Sequence, residues 1–337
     1  DIAKQVRLIF QCPTDSSLIV ISKIQILGHT YWLGGSDGSP STQVPLSSAL
    51  SLLDHCVRFD VIRTLMPKIK NSSSFADQLL SAMKTNTSYY IQNILLRLAQ
   101  SDAQLANRLM DTLLLGETVT HAQFAGKLCN VYDDSTQTRL DKLRDMVFGE
   151  LSSHSVNTLF SHILPFFNAL ADSITVLHSA NSEISCNVTD AQILNLFSAA
   201  TYTLEGSMSQ QATLRLLASL IQSNPRYYEI ILDKYRSSNI LEENNASILA
   251  PLASSSNAAA TSLIRSGVLQ NVLNALQDNT TPQTLEKATA FFVCVSNNGL
   301  IKDWVGENAF SALFAILSNR NLGSKVLFAV QDVFRVC

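Results

Sequence analysis

The last ninety or so residues of this 337-residue chain carry one segment twice, and that doubling restricts the fold more than any other feature. The first copy runs from Ala246 through Ile248, Leu249 and Leu252 to Asn257. It continues as Ala259–Arg265, turns at Ser266-Gly267, and resumes with Val268, Leu269, Val272, Leu273 and Leu276. The second copy runs Ala288–Asn297, then Leu300–Val305, then Gly306 to Phe310, then Leu313, Phe314 and Leu317. Each copy reads as a helix, a short helix, a glycine and a longer helix. Their offset of about forty residues falls within the armadillo and HEAT range. A unit of this size cannot bury its apolar stripe alone, so it must stack on copies of itself. Each glycine is expected to turn the corner between the second and third helices in a left-handed conformation. Leu322–Val336 reads as the opening of a further unit, so the sequence is expected to be cut from a longer array.

The preceding two hundred residues have the same helical period without the regular repeat. Leu46, Leu50, Leu53 and Val57 share one stripe, as do Phe75, Leu79, Leu80 and Met83, and Ile91, Ile94, Leu95 and Leu98. Spacings of three and four continue through helices expected near 102–115, 119–132, 136–151, 154–178, 189–204, 208–223 and 225–236. Thr189-Asp190-Ala191-Gln192 is a capping box, in which the threonine hydroxyl and the glutamine amide satisfy each other's backbone N–H groups. Asn224-Pro225 marks a helix start with proline at its first position. Pro165 predicts a kink or a break in 154–178.

Residues 5–27 alone alternate with a strand period: Val6, Leu8 and Phe10, then Ile19 and Ile21, then Ile24 and Ile26. Two or three strands do not form a stable sheet by themselves. The rest of the sheet to which residues 1–33 belong is therefore expected to lie before residue 1, on another chain or otherwise outside this sequence, and a Gly/Ser/Pro-rich linker follows at 34–45. Irregular helical repeats at 46–240 and armadillo-like repeats at 241–337 complete the expected organisation.

Composition narrows the function classes. The net charge is −3, with no basic run, which argues against nucleic acid. The most apolar stretch, Ser155–Ala171, is too short and too polar to span a bilayer. The N-terminal residues lack a signal-peptide layout. Charged residues make up only 15%, against a usual share of about 25%. Such a surface is expected to be partly covered by neighbours. The six cysteines, Cys12, Cys56, Cys129, Cys186, Cys294 and Cys337, lie too far apart in sequence for a local zinc pair and read as reduced, intracellular thiols, four or five of them helical. Five Asn-x-Ser/Thr sequons are near chance in so Asn- and Ser-rich a chain.

No constellation for catalysis, cofactor or metal stands out. His154 and His162 have no carboxylate or cysteine at ligand spacing, and Asp54-His55-Cys56 cannot converge because neighbours on a helix diverge by about 100°. Gly34-Gly35-Ser36-Asp37-Gly38 lacks the Lys-Ser/Thr that a phosphate loop needs. Asp133-Asp134 and Glu242-Glu243 suit helix N-termini. Phe291, Phe292 and Trp304 read as core. Tyr31-Trp32 reads as an exposed or inter-domain contact, and Tyr89-Tyr90 and Tyr227-Tyr228 each predict one outward ring, a hint of a partner surface.

Several segments resemble the BRUCE/Apollon family, the giant inhibitor-of-apoptosis ubiquitin ligases. They are Val6-Arg7-Leu8 with Ile21–Gly28, Ser51–Val57, Ser219–Leu232, Leu249–Ser256 with Ser266-Gly267, and Ile301–Gly306. They follow the family's order across nearly the whole chain, while residues 34–45 and 116–135 depart from it. The resemblance implies an internal piece of a large cytoplasmic homodimer, with Golgi or endosomal association. That protein conjugates ubiquitin to pro-apoptotic caspases and their mitochondrial activators. It implies a carbohydrate-module-like sandwich for the first strands and a helical frame for the rest, shaping the substrate cavity or the dimer. The zinc-binding and ubiquitin-conjugating motifs of the family are not in this sequence, so no catalytic, cofactor or metal residue is carried over. Two other readings follow from the residues alone. One is an independent armadillo adaptor in trafficking or transport, and the other, ranked last, is a sugar-active enzyme built on the partial sandwich.

Overall fold

A computed structural model describes residues 89–116, 118–153, 160–180, 183–204, 206–235, 245–277, 281–318 and 324–336. The expected strands at 1–33, the linker at 34–45 and the helices at 46–57 and 75–83 lie outside the described residues. All regular structure among the described residues is helical.

The chain divides into two compact units. The first contains α1 (Tyr89–Ser101), most of α2 (Ala103–Leu114) and the short segment 131–135. Leu95, Leu98 and Ala99 of α1 are buried, as are Leu105, Ala106, Leu109, Met110 and Leu113 of α2, the spacing of a helix with one apolar face. Asp102 separates the two helices. Its Oδ1 accepts hydrogen bonds from the backbone N–H groups of Gln104 (3.0 Å) and Leu105 (3.2 Å), which the helix start would otherwise leave without acceptors.

The second unit is a stack. Three helix pairs come first: α3 (Val119–Cys129) with α4 (Thr136–Ser153), α5 (Phe160–Ala180) with α6 (Asp190–Tyr202), and α7 (Met208–Ser223) with α8 (Arg226–Tyr235). Two triplets follow: α9 (Asn245–Ser254), α10 (Asn257–Arg265) and α11 (Val268–Gln277), then α12 (Pro282–Val295), α13 (Gly299–Asn308) and α14 (Phe310–Ser318). The last helix is α15 (Ser324–Val336). Packing runs in rows. In the first row α3 packs on α5, α5 on α7, α7 on α9, α9 on α12, and α12 on α15. In the second row α4 packs on α6, α6 on α8, α8 on α10, and α10 on α13. The triplets add a third row, in which α11 packs on α14. The sequence repeat is thus a spatial repeat, because α9, α10 and α11 meet their own equivalents in the following unit.

Local chemistry sets the helix ends. Thr189 closes the capping box expected at α6: its Oγ1 accepts from the Gln192 N–H (3.2 Å), and its own N–H donates to Gln192 Oε1 (2.9 Å). Ser207, Ser256 and Asn298 cap α7, α10 and α13 in the same sense. Thr281 caps α12 directly before Pro282, whose missing N–H costs nothing in a first turn. Pro165 lies in the second turn of α5, and the helix continues through it to Ala180.

The two corners of the triplets differ. Gly267 has φ +78°, the left-handed residue expected between α10 and α11. Gly306 does not turn the second corner. It sits inside α13, which runs on to Asn308, and Ala309 makes the corner in a right-handed conformation (φ −101°, ψ −15°). A Cβ added at either glycine would meet no atom within 4 Å, so only the backbone distinguishes them. Gly267→Ala is expected to destabilise the chain by about 1–2 kcal/mol, because an L-residue resists the left-handed region. Gly306→Ala is expected to stabilise it by about 0.5–1 kcal/mol, the ordinary gain in a helix interior. Thermal melts followed by circular dichroism check the opposite signs.

Candidate functional site

The candidate function resides in helix faces and their connections, so the polar groups that fix those surfaces come first. Arg139 of α4 is fully buried. Its Nε donates to the Leu128 carbonyl (3.0 Å), and its Nη2 donates to Thr136 Oγ1 (3.4 Å). Leu128 lies in the last turn of α3, where carbonyls lack intrahelical partners and the helix dipole favours a cation. A guanidinium from the next helix therefore closes α3.

Behind this clamp α3 and α5 approach closely. A Cβ on Gly126 would stand 3.3 Å from both the Cβ and the carbonyl oxygen of Ala169. Ser173 Oγ donates to the Ala169 carbonyl (2.8 Å) and reaches the Gly126 carbonyl at 3.3 Å. Small residues permit the approach, and the hydroxyl fixes the register.

Residues 184–189, before α6, belong to neither helix nor strand, and the pairs on either side hold them. Gln137 of α4 pairs with Ser185 as a strand would: its Nε2 donates to the Ser185 carbonyl (2.9 Å), and its Oε1 accepts from the Ser185 N–H (3.2 Å). From the other side the Tyr227 hydroxyl of α8 accepts from the Val188 N–H (3.1 Å) and donates to the Cys186 carbonyl (3.4 Å). Cys186 points inward and is buried. The expected outward ring at Tyr227-Tyr228 is corrected here: Tyr227 is only 5% exposed and Tyr228 is fully buried. Divergent neighbours on a helix both find cover when the helix is enclosed on two sides. Tyr227 serves the connection, and the Tyr228 hydroxyl donates to the Leu249 carbonyl of α9 (3.0 Å).

Similar polar ties join other units. Asp172 and Thr175 of α5 meet Arg215 and Ser219 of α7, Ser262 of α10 donates to Glu229 of α8 (3.2 Å), and Asn298 of α13 donates to Asn257 Oδ1 of α10 (3.1 Å). The Asp172–Arg215 pair is half-exposed, so it contributes little to stability.

The side chains weighed for chemistry fall as follows. His121 caps α3 with Thr118, its Nδ1 lying 2.6 Å from the threonine hydroxyl. His178 is exposed in the last turn of α5. Asp133 Oδ1 accepts from the Ser135 N–H (2.7 Å), the turn expected there. Phe291 and Phe292 are core, their rings edge-on at 6.2 Å. No group of three or more metal-ligating side chains occurs among the described residues. No described helix is long and apolar enough to cross a membrane. The side chains of His154, His162, Tyr31, Trp32, Tyr89 and Tyr90, the Asp54-His55-Cys56 trio, the glycine run at 34–38 and Glu242-Glu243 lie outside the described residues.

Cys129, Cys186 and Cys294 are free thiols. Burial pushes the Cys129 thiol up to about 12, against the pull of Arg139 and a hydrogen bond with Ser173. Burial does the same to Cys186, also to about 12, against Arg144. Cys294 is raised by burial as well. Cys186 lies between helices, as the expected ranges 154–178 and 189–204 leave it, and like Cys129 it is withdrawn. A neutral buried thiol is no nucleophile. Its stabilising effect is complete below the unfolded value near 9 and is lost as pH climbs from there toward 12.

Large apolar side chains remain on the outside. Tyr202, Leu204 and Met208 are 71–83% exposed around the α6–α7 turn, and Leu115 before α3 and Val119 at its first position are exposed too. Sequence reading passed over them because each lies at a helix end, where periodicity gives no face. Compared with family models the chain matches none, and no curated protein matches it.

Two measurements test this arrangement. Tyr227→Phe removes the acceptor for Val188 and is expected to cost about 1–2 kcal/mol, with faster amide exchange at Val188. Unchanged exchange there would deny the strap its anchor. Iodoacetamide at pH 8 is expected to leave Cys129 and Cys186 unlabelled in the folded chain and to label both in urea, read by peptide mass spectrometry.

Proposed function

We propose that this chain is an armadillo/HEAT-like scaffold segment of a giant anti-apoptotic ubiquitin-conjugating ligase of the BRUCE/Apollon kind. It shapes the substrate cavity or the dimer rather than catalysing. The observation that carries this reading is the continuity of the helix rows from α3 to α15. Each helix spends its apolar stripe on its neighbours and leaves its outer face for docking. The triplets have the armadillo order of helices, and the pairs before them have the HEAT order. The family resemblance supplies the rest. The same polypeptide contributes a zinc-binding domain and a ubiquitin-conjugating domain, a second copy completes a homodimer, and the whole acts in the cytoplasm on caspases and their mitochondrial activators. The expected first strands belong to its β-sandwich. The withdrawn thiols of Cys129 and Cys186 support a role without ubiquitin thioester chemistry.

The test uses the native polypeptide. An antibody raised against this chain is used to isolate the protein that carries it, which is then given activating enzyme, ubiquitin and ATP. A very large polypeptide that takes up ubiquitin as a reducible thioester is expected, while the isolated chain of 36.9 kDa takes up none. A thioester on the isolated chain would overturn the reading. A native protein without conjugating activity would favour an independent armadillo adaptor.

A further inference from the structure

The corner between α12 and α13 is closed by a different group from its neighbours. The caps of α3, α6, α7, α10 and α12 are the hydroxyls of Thr118, Thr189, Ser207, Ser256 and Thr281, whereas α13 is capped by the carboxamide of Asn298. Gly299 follows it, and Asn298-Gly299 is the one Asn-Gly pair in the chain. An asparagine carboxamide is an electrophile for the backbone nitrogen of the next residue. Glycine shields that nitrogen least, because it has no side chain. Here the nitrogen is the first of α13, among the N–H groups that have no intrahelical acceptor, so no ladder bond ties it up.

The cap itself keeps the two groups apart. Ring closure needs the Gly299 nitrogen to eclipse the Asn298 Cβ, which in an L-residue requires a negative ψ, but Asn298 has ψ 130°. Its Oδ1 accepts from the Leu300 N–H (3.0 Å), and its Nδ2, the leaving group, donates to Asn257 Oδ1 of α10 (3.1 Å). Asn298 is 7% exposed, which keeps base and water from it. We propose that Asn298-Gly299 is a deamidation site that the α13 cap holds closed and that opening of the α12–α13 corner releases. On opening, the Gly299 nitrogen gives its proton to hydroxide and bonds to Asn298 Cγ. The Cγ–Nδ2 bond breaks, and the amide takes a proton from water and leaves as ammonia. Water then opens the five-membered imide, at Cγ to give aspartate or at the main-chain carbonyl to give isoaspartate. Aspartate still accepts the Leu300 N–H, and its charge suits a helix N-terminus. Isoaspartate adds a carbon to the backbone, which moves the carboxylate out of the capping position and parts α13 from Asn257. The site thus turns a transient opening of the stack into a permanent break at one corner. The inference rests on the geometry of the cap and does not depend on the ligase assignment.

The test holds the whole chain at pH 8, folded or in urea. The peptide containing residue 298 is followed by mass spectrometry, with fragmentation that separates isoaspartate from aspartate. In urea Asn298 is expected to convert before the chain's other asparagines. In the folded chain the conversion is expected to be slower by about tenfold or more, since only the open fraction reacts. Asn257→Ala removes the acceptor of the leaving amide and is expected to raise the folded rate severalfold while the rate in urea stays the same. Gly299→Ala, where an added Cβ meets no atom within 4 Å, is expected to slow conversion in urea severalfold without lowering the melting temperature. Equal rates in the folded chain and in urea would overturn the proposal. So would an Asn298 that converts no faster in urea than other asparagines, or rates that neither substitution alters.

Discussion

The second unit depends on one constraint: a helix of nine to twenty-one residues with one apolar face is stable only when an equivalent helix lies against it. Leu216, Leu217, Leu220 and Ile221 of α7 are fully buried because α5 and α9 flank that helix in the same row. The same condition applies to α9 between α7 and α12, and to α12 between α9 and α15. Burying such a side chain contributes roughly 1.5–3 kcal/mol, more than any single polar tie described. The rows therefore come from hydrophobic burial, and the polar contacts select their register.

That division of labour explains the placement of the buried polar groups. Arg139 satisfies a carbonyl in the last turn of α3, Ser173 bridges the crossing of α3 and α5, the Tyr228 hydroxyl reaches the Leu249 carbonyl within α9, and Asn298 caps α13. Left without an acceptor or donor, such groups would cost more than the bonds gain. The change from pairs to triplets occurs at α9, and it leaves the first two rows unbroken because α7 packs on α9 and α8 on α10.

Much of this was legible in the sequence wherever the signal is local. The bounds expected at 208–223 coincide with α7, and the capping box at Thr189 and the left-handed Gly267 follow from the chemistry of three or four consecutive residues. Where a second helix decides the outcome, the reading failed. Gly306 looked like a corner because it follows an apolar run, but the packing of α13 carries the helix through it. One ring of Tyr227-Tyr228 was expected outside because period alone cannot see the α5–α6 connection that Tyr227 meets. Nothing within its own helix reveals that Arg139 closes α3. Gln137 and Ser185 are 48 residues apart, and their pairing has no sequence signature. For a scaffold, the exposed faces are the candidate site, and these lie where periodicity is weakest.

The strap between α5 and α6 has a consequence for how the stack comes apart. In a linear array each repeat is coupled only to the one before and the one after, and the total free energy is a sum over adjacent contacts. Gln137 belongs to the first pair, Ser185 and Val188 to the second, and Tyr227 to the third. One connection thus carries the polar ties on both sides of the second pair, and it strengthens the two adjacent contacts together. Release of Gln137 frees Ser185, the neighbour of Cys186, whose carbonyl Tyr227 holds, so fraying of α3 and α4 loosens the anchor of the third pair as well. A connection of loop composition serves as the rivet between three pairs.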